Sequence, residues 1–320
     1  MIETYKKAVD LRLNRSLGNR SPAMVYEPIH YALSAGGKRL RAVLTLLACE
    51  AVGGSWKTAL DAAVAIEMLH NFTLVHDDIM DKSPLRRGKP AVHRKWDLNT
   101  AVLSGDEMVA CAYRELLLTP SKRKLEIAKV FTQAFIEVCE GQGYDIEFET
   151  RNSVSIKDYL MMIGKKTAYV ISAATEMGAL AGNGTPKQIS ALRSFGRHLG
   201  MAFQLQDDYL DIHGTTKQLG KAIGGDIAEG KKTFLYISAL ARLKGTDLRE
   251  FKTIIRKRSK TARDIQRVHE LYKRGGILDA ARKEIRRNTV RSLRDLDSLP
   301  AGRARAALGW IAGQLADRNS

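Results

Sequence analysis

The sequence predicts an all-α protein, and three observations on its 320 residues support this fold class. Proline, which breaks helix interiors, occurs seven times, and no proline lies between Pro186 and Pro300. Apolar residues recur every three or four positions, as they do along one face of a helix. Patterns that alternate with the period of a β-strand are weak. We therefore expect roughly ten or more helices in a single domain over residues 1–320, because no segment has the composition of a flexible linker.

Two helical runs of apolar residues stand out along the chain. The first covers positions 62–76 and the second covers positions 189–206, and each leads into a cluster of aspartates. Glycine and proline mark the connections between helices. The predicted loops lie at 35–37, 52–54, 82–90, 118–121, 182–186 and 213–226.

The overall composition is that of a water-soluble globular protein, with 44% hydrophobic and 27% charged residues. No apolar stretch is long enough to predict a membrane span, and the first residues do not form the apolar core of a signal peptide. The three cysteines, Cys49, Cys111 and Cys139, are far apart in the chain. We interpret them as buried, small apolar side chains in a reducing, cytoplasmic protein.

The net charge of +17 makes nucleic acid, an anionic membrane surface and phosphorylated small molecules candidate partners. Much of the excess lies in residues 251–295, with fifteen Lys or Arg against five Asp or Glu. A solvated helical face explains most such runs, and aromatic residues that would stack on bases are sparse there. We therefore predict no nucleic-acid partner and keep peripheral contact with an anionic membrane as a hypothesis.

The pattern Asp-Asp-x-x-Asp occurs twice, at 77–81 and at 207–211. Residues four apart share one face of a helix, so Asp77 points the same way as Asp81, and Asp207 the same way as Asp211. Like charges on adjacent turns repel, but a hard divalent cation between them would make the arrangement favourable. An acidic helix end is the alternative, although carboxylates near a helix C-terminus oppose the macrodipole. Two clusters together predict Mg²⁺ sites for a diphosphate, formed by Asp77, Asp78, Asp81, Asp207, Asp208 and Asp211.

Basic residues accompany both clusters. Arg86 and Arg87 follow the first cluster, and guanidinium groups bind phosphate oxygens in a bidentate way. A helix that begins near Lys38 would offer free amides to an anion, with Arg41 one turn further on. This segment is not a P-loop, because Lys38 is not followed by Ser or Thr. Further candidate phosphate-binding lysines are Lys166, Lys221 and Lys231.

Five motifs now stand in order along the chain: GGKRLR (36–41), EMLHNFTLVHDDIMDKSPLRRGKPAVH (67–93), GKKT (164–167), FQLQDDYLD (203–211) and GKAIGGDIAEGKK (220–232). With these motifs the sequence resembles the trans-isoprenyl diphosphate synthases, also called polyprenyl synthetases. The first aspartate cluster has no two-residue insertion, unlike the bacterial farnesyl type. The resemblance implies long helices around a central active-site cavity and a homodimer. It also implies head-to-tail condensation of isopentenyl diphosphate with dimethylallyl, geranyl or farnesyl diphosphate.

The resemblance assigns expected roles residue by residue. Asp77 and Asp81 would bind two Mg²⁺ ions and Asp207 a third, with Mn²⁺ as an alternative metal, while Asp78 and Asp211 would orient these ligands. The allylic diphosphate would be held by Arg86, Lys166, Lys221 and Lys231. The diphosphate of isopentenyl diphosphate would be held by Lys38, Arg41, His70 and Arg87. Thr167 and Gln204 would lie near the reacting carbons.

The product length is predicted from the residues just before the first cluster. Thr73 precedes Asp77 by one turn, so this small side chain would let a growing prenyl tail pass. Phe72 is turned aside and would close the tunnel further on. This pair resembles that of archaeal geranylgeranyl diphosphate synthases and predicts a C20 product. A farnesyl or C25 synthase of the same family is the alternative.

Three other classes of protein remain to be distinguished. A class I terpene cyclase has an Asp-rich cluster but needs no second diphosphate site, so the Lys38–Arg41 site and the Arg86–Arg87 pair would be unexplained. A His-Asp phosphohydrolase is suggested by His76 next to Asp77, but seven scattered histidines supply few ligands. A non-catalytic regulatory subunit usually has degraded aspartate clusters, and both clusters are intact here.

Overall fold

The computed structural model describes residues 1–213 and 224–317. Its α-helices within these ranges are α1 (Ile2–Leu17), α2 (Ala23–Ser34), α3 (Leu40–Ala51), α4 (Leu60–Met80), α5 (Val92–Lys95), α6 (Leu98–Leu117), α7 (Lys124–Thr150), α8 (Ile156–Ile163), α9 (Tyr169–Ala181), α10 (Pro186–His213), α11 (Gly225–Glu229), α12 (Phe234–Arg242), α13 (Gly245–Ile255), α14 (Ala262–Arg274), α15 (Ile277–Asp295) and α16 (Arg303–Asp317). Short 3₁₀ turns occupy Trp56–Ala59 and Leu296–Ser298, and a π-helical turn occupies Gly164–Ala168.

The all-α prediction is confirmed, and the two predicted helical runs correspond to α4 and α10. One small hairpin departs from it: β1 (Leu85–Arg86) pairs antiparallel with β2 (Lys89–Pro90) inside the predicted loop 82–90. Its two turn residues, Arg87 and Gly88, have φ of 53° and 75°. Positive φ at both positions is the geometry of a tight hairpin turn. Strands of two residues carry no periodic signal, which is why the sequence did not predict them.

The other predicted loops at 35–37, 52–54, 118–121 and 182–186 lie between helices, apart from Pro186, which starts α10. Most of the loop predicted at 213–226 lies outside the described residues. The helix expected near Lys38 begins two residues later, at Leu40. Arg39 adopts a left-handed conformation with φ of 49°, so the chain turns there before the helix can start.

The chain divides into two compact units. Unit 1 comprises Met1–Ile136, Val170–Gly196 and Asp295–Trp310, and α4 packs there against α3 and α6. Small residues allow close approach in this unit. A Cβ atom on Gly178 would lie 2.1 Å from the carbonyl oxygen of Thr45. Only glycine therefore allows α9 to lie this close to α3.

Unit 2 comprises Glu137–Tyr169, Arg197–Arg294 and Ile311–Ser320. Its core consists of aromatic and aliphatic side chains, among them the fully buried Tyr209 and Phe251. Capping boxes define the starts of α8 and α14, because Ser155 and Thr261 exchange hydrogen bonds with the aspartates three residues later. The prediction that residues 1–320 form a single domain stays a prediction.

The cysteines and the hydropathy of the helices bear on two predictions made from composition. Cys49 and Cys111 are buried as predicted, but Cys139 is exposed, so the prediction of burial is wrong for that residue. Among residues 1–213 and 224–317, no helix is both long and apolar enough to cross a membrane.

Candidate active site

The first aspartate cluster lies at the C-terminal end of α4 in unit 1. The helix ends at Met80, and the amide of Asp81 still donates to the carbonyl of Asp77 across 2.8 Å. Asp77 and Asp81 are thus one turn apart on the same face, as the spacing predicted. Asp81 is exposed and Asp77 is partly exposed, so a cation in solvent can reach both carboxylates.

The middle aspartate of this cluster has a different environment. Asp78 is only 3% exposed, and the guanidinium of Arg86 in β1 donates to both of its carboxylate oxygens. Burial raises the pKa of Asp78 by more than this ion pair lowers it. The contact therefore ties β1 to the end of α4 and orients the cluster, which is the role the resemblance assigned to Asp78. Arg86 needs to leave or share this partner before it can bind a phosphate.

A group of cations in unit 1 gathers around the glycine pair Gly36-Gly37. The guanidinium of Arg87 donates to the carbonyl oxygen of Gly36. Burial, followed by the positive charges of Arg41 and Arg87, lowers the pKa of His70 well below its usual value. The charges of Arg41 and Arg87 thus act on His70, although the three residues lie far apart in the sequence. Lys38, exposed just before α3, belongs to the same segment. The residues predicted for the second phosphate site thus all belong to unit 1.

The neighbouring Arg39 serves the fold. It is 5% exposed, forms ion pairs with Asp10 at 2.8 Å and Glu67 at 3.6 Å, and donates to the carbonyl of Leu33. Its charge is matched inside the protein, so it is not available to a substrate. Within the basic motif GGKRLR, the sequence alone could not separate this structural arginine from the binding residues.

The two residues predicted to set product length lie on α4. Phe72 is buried, and its ring packs edge-on against Phe135 with centroids 5.5 Å apart. The His76 ring lies tilted against Phe72 at 4.6 Å. Thr73 is half-buried and donates to the carbonyl oxygen of His70. A Cβ on Gly105 of α6 would lie 2.2 Å from Nε2 of His76. His76 is therefore wedged between Phe72 and the α6 backbone, a packing role that the His-Asp interpretation did not foresee.

The second aspartate cluster lies on α10 in unit 2. Asp207 is exposed, while Asp208 and Asp211 are buried. The amide of Asp226 donates to the carboxylate of Asp211 across 2.9 Å. Asp207 is thus the aspartate of this cluster most accessible to a metal ion, and Asp211 holds the segment that follows residue 223.

Asp207 and Asp208 line a cavity of about 320 Å³. All the residues around it belong to unit 2. Four further predicted site residues lie there: Lys166, Thr167, Gln204 and Lys231. The structure thus brings together residues from the predicted motifs GKKT, FQLQDDYLD and EGKK. Lys221 lies outside the described residues.

A chain of hydrogen bonds connects four residues that line this cavity. Thr167 donates to Gln204 across 2.9 Å, and Gln204 donates to Asp208 across 3.1 Å. Tyr159 donates to the other oxygen of Asp208. Burial raises the pKa of Asp208 to about 6, and burial together with the Asp208 carboxylate raises that of Tyr159 well above its usual range. Asp208, predicted as a metal ligand, thus orients Gln204 in this structure.

The basic residues of the cavity have acidic neighbours. Lys166 lies in the π-helical turn and contacts Asp145 across 2.6 Å. Lys231 lies 3.0 Å from Glu229. The turn that carries Lys166 can approach α7 because residue 141 is glycine: a Cβ there would lie 2.3 Å from the Lys166 amide nitrogen. A cavity with both signs of charge suits a metal–diphosphate complex.

Sequence reasoning missed several residues of this cavity, namely Asp145, Phe148, Tyr159, Asp226, Lys232 and Thr233. Lys232 has a clear structural role. Its ammonium group donates to the carbonyls of Phe148, Glu149 and Arg151. Lys232 thereby caps the C-terminal end of α7. A cation at this end also interacts favourably with the helix dipole. The doubled Lys-Lys in the motif was the only available signal, and it did not distinguish the two lysines.

Comparison with known proteins places this geometry in a family. The family model for polyprenyl synthetase matches residues 22–272. The chain belongs to the polyprenyl synthetase family. A short-chain isoprenyl diphosphate synthase of Methanothermobacter thermautotrophicus is 37% identical over 99% of this chain and 98% of the relative. A geranylfarnesyl diphosphate synthase of Natronomonas pharaonis is 35% identical over 99% of this chain and 97% of the relative.

A solved structure agrees with this assignment. The geranylgeranyl pyrophosphate synthetase from Pyrococcus horikoshii is similar with a TM-score of 0.94 and 36% identity. The similarity covers 99% of this chain and 97% of the other. The isoprenyl synthase fold expected from the motifs is therefore confirmed.

Three aspartates of this polyprenyl synthetase have the exposure that a Mg²⁺ ion shared with a substrate phosphate requires. Among the described residues, no group of three or more His, Cys, Asp or Glu is arranged to enclose a metal. Mg²⁺ usually keeps several waters and takes only one or two carboxylates, with substrate phosphates completing its shell. The one-turn pair Asp77 and Asp81 offers this incomplete set, as does the exposed Asp207.

Proposed function

We propose that this polyprenyl synthetase is a short-chain trans-prenyltransferase. It condenses isopentenyl diphosphate with dimethylallyl, geranyl or farnesyl diphosphate, and its main product is geranylgeranyl diphosphate (C20). The observation that carries the proposal is the cavity of unit 2. Carboxylates, lysines and the Thr167–Gln204 hydrogen bond line the same space there. A solely basic pocket could hold phosphate but not the metal ions of a diphosphate complex.

Each group has a distinct task in the proposed reaction. In unit 2, Lys166 and Lys231 bind the diphosphate of the allylic substrate, and Arg86 in unit 1 is a further cation for this diphosphate. Asp77 and Asp81 in unit 1, and Asp207 in unit 2, are the residues that would hold Mg²⁺, which would supply Lewis-acid neutralisation of a diphosphate. The allylic C–O bond breaks, and the double bond of isopentenyl diphosphate attacks the carbocation. Thr167 and Gln204 present neutral dipoles to that positive charge.

The cation group of unit 1 serves the second substrate. Lys38, Arg41 and Arg87 hold the diphosphate of isopentenyl diphosphate. His70 is neutral at physiological pH because of its lowered pKa, so it contributes a hydrogen bond and no charge. The proton released after bond formation goes to the departed diphosphate, so no protein base is needed.

Product length in this proposal depends on Phe72 and Thr73. Thr73 leaves room for the tail, and the buried ring of Phe72 closes the space beyond it. A C25 product is the second candidate, because one relative is named a geranylfarnesyl diphosphate synthase. The two candidates differ by one isoprene unit, close to one helical turn of about 5.4 Å.

The test is a product-length assay. Purified protein is mixed with labelled isopentenyl diphosphate and one of the three allylic diphosphates, with Mg²⁺ or with EDTA. After removal of the diphosphate, chromatography measures chain length. We expect Mg²⁺-dependent elongation that stops at C20, with Mn²⁺ as a substitute metal. A cyclic hydrocarbon would support a terpene cyclase, free phosphate a phosphohydrolase, and no reaction a regulatory subunit.

We also infer a homodimeric cytoplasmic enzyme whose residues 1–320 form a single domain. The resemblance to the family supports the dimer. Light scattering of the purified protein measures its mass against the monomer mass of 35.5 kDa. A monomeric mass would contradict the dimer, and two separate calorimetric transitions would contradict the single domain.

A further inference from the structure

The helix α15 carries a concentrated positive charge on its outer face. Six of its nineteen residues are Lys or Arg, against three Asp or Glu. Its buried side consists of residues such as Ile277, Ala281 and Ile285, which pack into the core of unit 2. The apolar side of this amphipathic helix is therefore already covered, and its basic side faces solvent.

We define the basic face as Lys283, Arg286, Arg287, Val290, Leu293 and Arg294. These positions recur at three- and four-residue spacing, so they form one stripe along the helix. The four basic residues are exposed, and Val290 and Leu293 are each 38% exposed. Cations that flank small apolar patches are typical of surfaces that contact lipid headgroups.

The charge of this face is only partly neutralised by the protein itself. Arg287 forms an ion pair with Glu284 at 2.5 Å. Asp279, which is exposed on the same side, lies 3.7 Å from Arg282. Within the described residues, Lys283, Arg286 and Arg294 form no ion pair or hydrogen bond through their side chains. A stable fold does not require these three cations, which leaves them available to an external anion.

We propose that the basic face is a docking surface for anionic phospholipid membranes. Several cations along one helix face match the negative potential of a lipid surface, to which each Lys or Arg contributes favourably. The face has no aromatic residue that could stack on bases, which disfavours nucleic acid. The choice of a membrane also rests on the proposed function, because a C20 prenyl diphosphate partitions into lipid. Docking places the enzyme where its product is taken up.

The mode of binding is peripheral. Since the apolar side of α15 is packed inside unit 2, the helix cannot insert deeply, and Val290 and Leu293 provide only shallow apolar contact. Attraction between exposed charges is screened by salt. Binding therefore weakens steeply as the ionic strength rises.

The test compares two triple variants of the full-length protein. K283E/R286E/R294E reverses three cations of the basic face. K7E/K57E/K122E reverses three exposed lysines that lie in unit 1 and outside every proposed site. Both variants lower the net charge by the same amount, so only the location of the change differs. Circular dichroism melting verifies that each variant is folded.

Binding is measured by co-sedimentation with vesicles of phosphatidylglycerol and phosphatidylcholine, and with phosphatidylcholine alone, without substrates. We expect salt-sensitive binding to the anionic vesicles only. The basic-face variant should bind at least about tenfold more weakly, and the control variant within about twofold of the unaltered protein. No vesicle binding, or equal loss in both variants, would overturn the proposal. Binding to duplex DNA or RNA in preference to vesicles would also overturn it.

Prenyl transfer in detergent-free buffer provides an independent readout. Neither triple variant alters a residue of the candidate active site, so both should elongate dimethylallyl diphosphate at the unaltered rate. Loss of vesicle binding with intact elongation isolates the docking surface. Intact vesicle binding without any elongation by the unaltered protein would count against the proposed function instead.

Discussion

Thr167 donates a hydrogen bond to Gln204 across 2.9 Å, which joins two side chains 37 positions apart in the chain. Because Gln204 also donates to Asp208, its amide has a defined orientation, with the oxygen toward Thr167 and the nitrogen toward the carboxylate. Tyr159 holds the opposite side of that carboxylate. The two residues that the motifs placed near the reacting carbons are thus held by a buried network in unit 2.

This network predicts the effect of Thr167→Val. Valine keeps the shape of threonine but removes the hydrogen bond to Gln204, at a cost of about 1 kcal/mol. We expect kcat to fall about five- to tenfold with little change in KM. Steady-state kinetics with farnesyl diphosphate measure both. Thr253→Val is the control, since its hydroxyl donates to the carbonyl of Arg249 within α13, away from the cavity. Equal losses in the two variants would contradict a specific role for Thr167.

The exposed aspartates predict a metal dependence. Asp77→Asn removes one charge from the pair that would bind Mg²⁺, so we expect the rate to fall by about a hundredfold or more. The Mg²⁺ concentration for half-maximal rate should rise as well. Initial rates over a Mg²⁺ titration measure both effects. Asp297→Asn, on a surface carboxylate paired with Arg305, should leave the titration unchanged. A variant of Asp77 with unaltered Mg²⁺ dependence would exclude it as a ligand.

The aromatic contacts of Phe72 predict the change in product length. Phe72→Ala removes the ring that packs against Phe135 and His76, and opens space beyond Thr73. We expect a main product longer than C20, together with a loss of about 3 kcal/mol in unfolding free energy. Phe251→Ala makes a cavity in the core of unit 2 and should lower stability without altering chain length. If Phe72→Ala still stops at C20, Phe72 does not close the tunnel.

Substitution of two glycines by alanine should change the stability of the protein in opposite directions, because only Gly105 is packed against His76. Gly105→Ala would place a Cβ 2.2 Å from the His76 ring, so we expect destabilisation by about 1–3 kcal/mol. Gly143 lies in the interior of α7, and a Cβ there would meet nothing within 4 Å. Gly143→Ala should therefore stabilise the protein by about 0.5–1 kcal/mol. Urea unfolding measures both. A neutral Gly105→Ala would mean that His76 moves aside freely.

The lowered pKa of His70 predicts how stability depends on pH. As the pH falls through about 6.5, the unfolded chain takes up a proton on His70 while the folded protein does not. The unfolded state then binds more protons, so the wild type loses stability relative to His70→Gln as the pH falls. The limiting slope is about 1.4 kcal/mol per pH unit. Urea midpoints from pH 8 to about pH 5 measure this difference. A difference that is independent of pH would contradict the assignment.

Local patterns were enough to predict the elements that carry the site. The 3.6-residue periodicity predicted α4 and α10, and the i, i+4 spacing correctly placed Asp77 and Asp81 on one face. The same reasoning could not separate residues of equal chemistry. Arg39 and Arg41 belong to one motif, yet Arg39 forms internal ion pairs with Asp10 and Glu67. Burial of a charge depends on distant partners, and a motif does not contain them.

The exposed Cys139 and the hairpin of β1 and β2 show the same limit. Whether a small side chain is buried depends on which face of its helix is covered. A hairpin of two-residue strands depends on the φ angles of Arg87 and Gly88. Neither property repeats along the sequence, so periodicity could not reveal it.

By itself, the sequence determined the helical class, the family and the two aspartate clusters, because these follow from periodicity and from residue types at fixed spacing. Only the tertiary structure decided which partner each charged group has. Asp78 binds Arg86, Asp208 orients Gln204, and Lys232 closes the end of α7. Such contacts form when the helices pack and exclude water, since a buried polar group needs a hydrogen-bond partner wherever in the chain that partner lies.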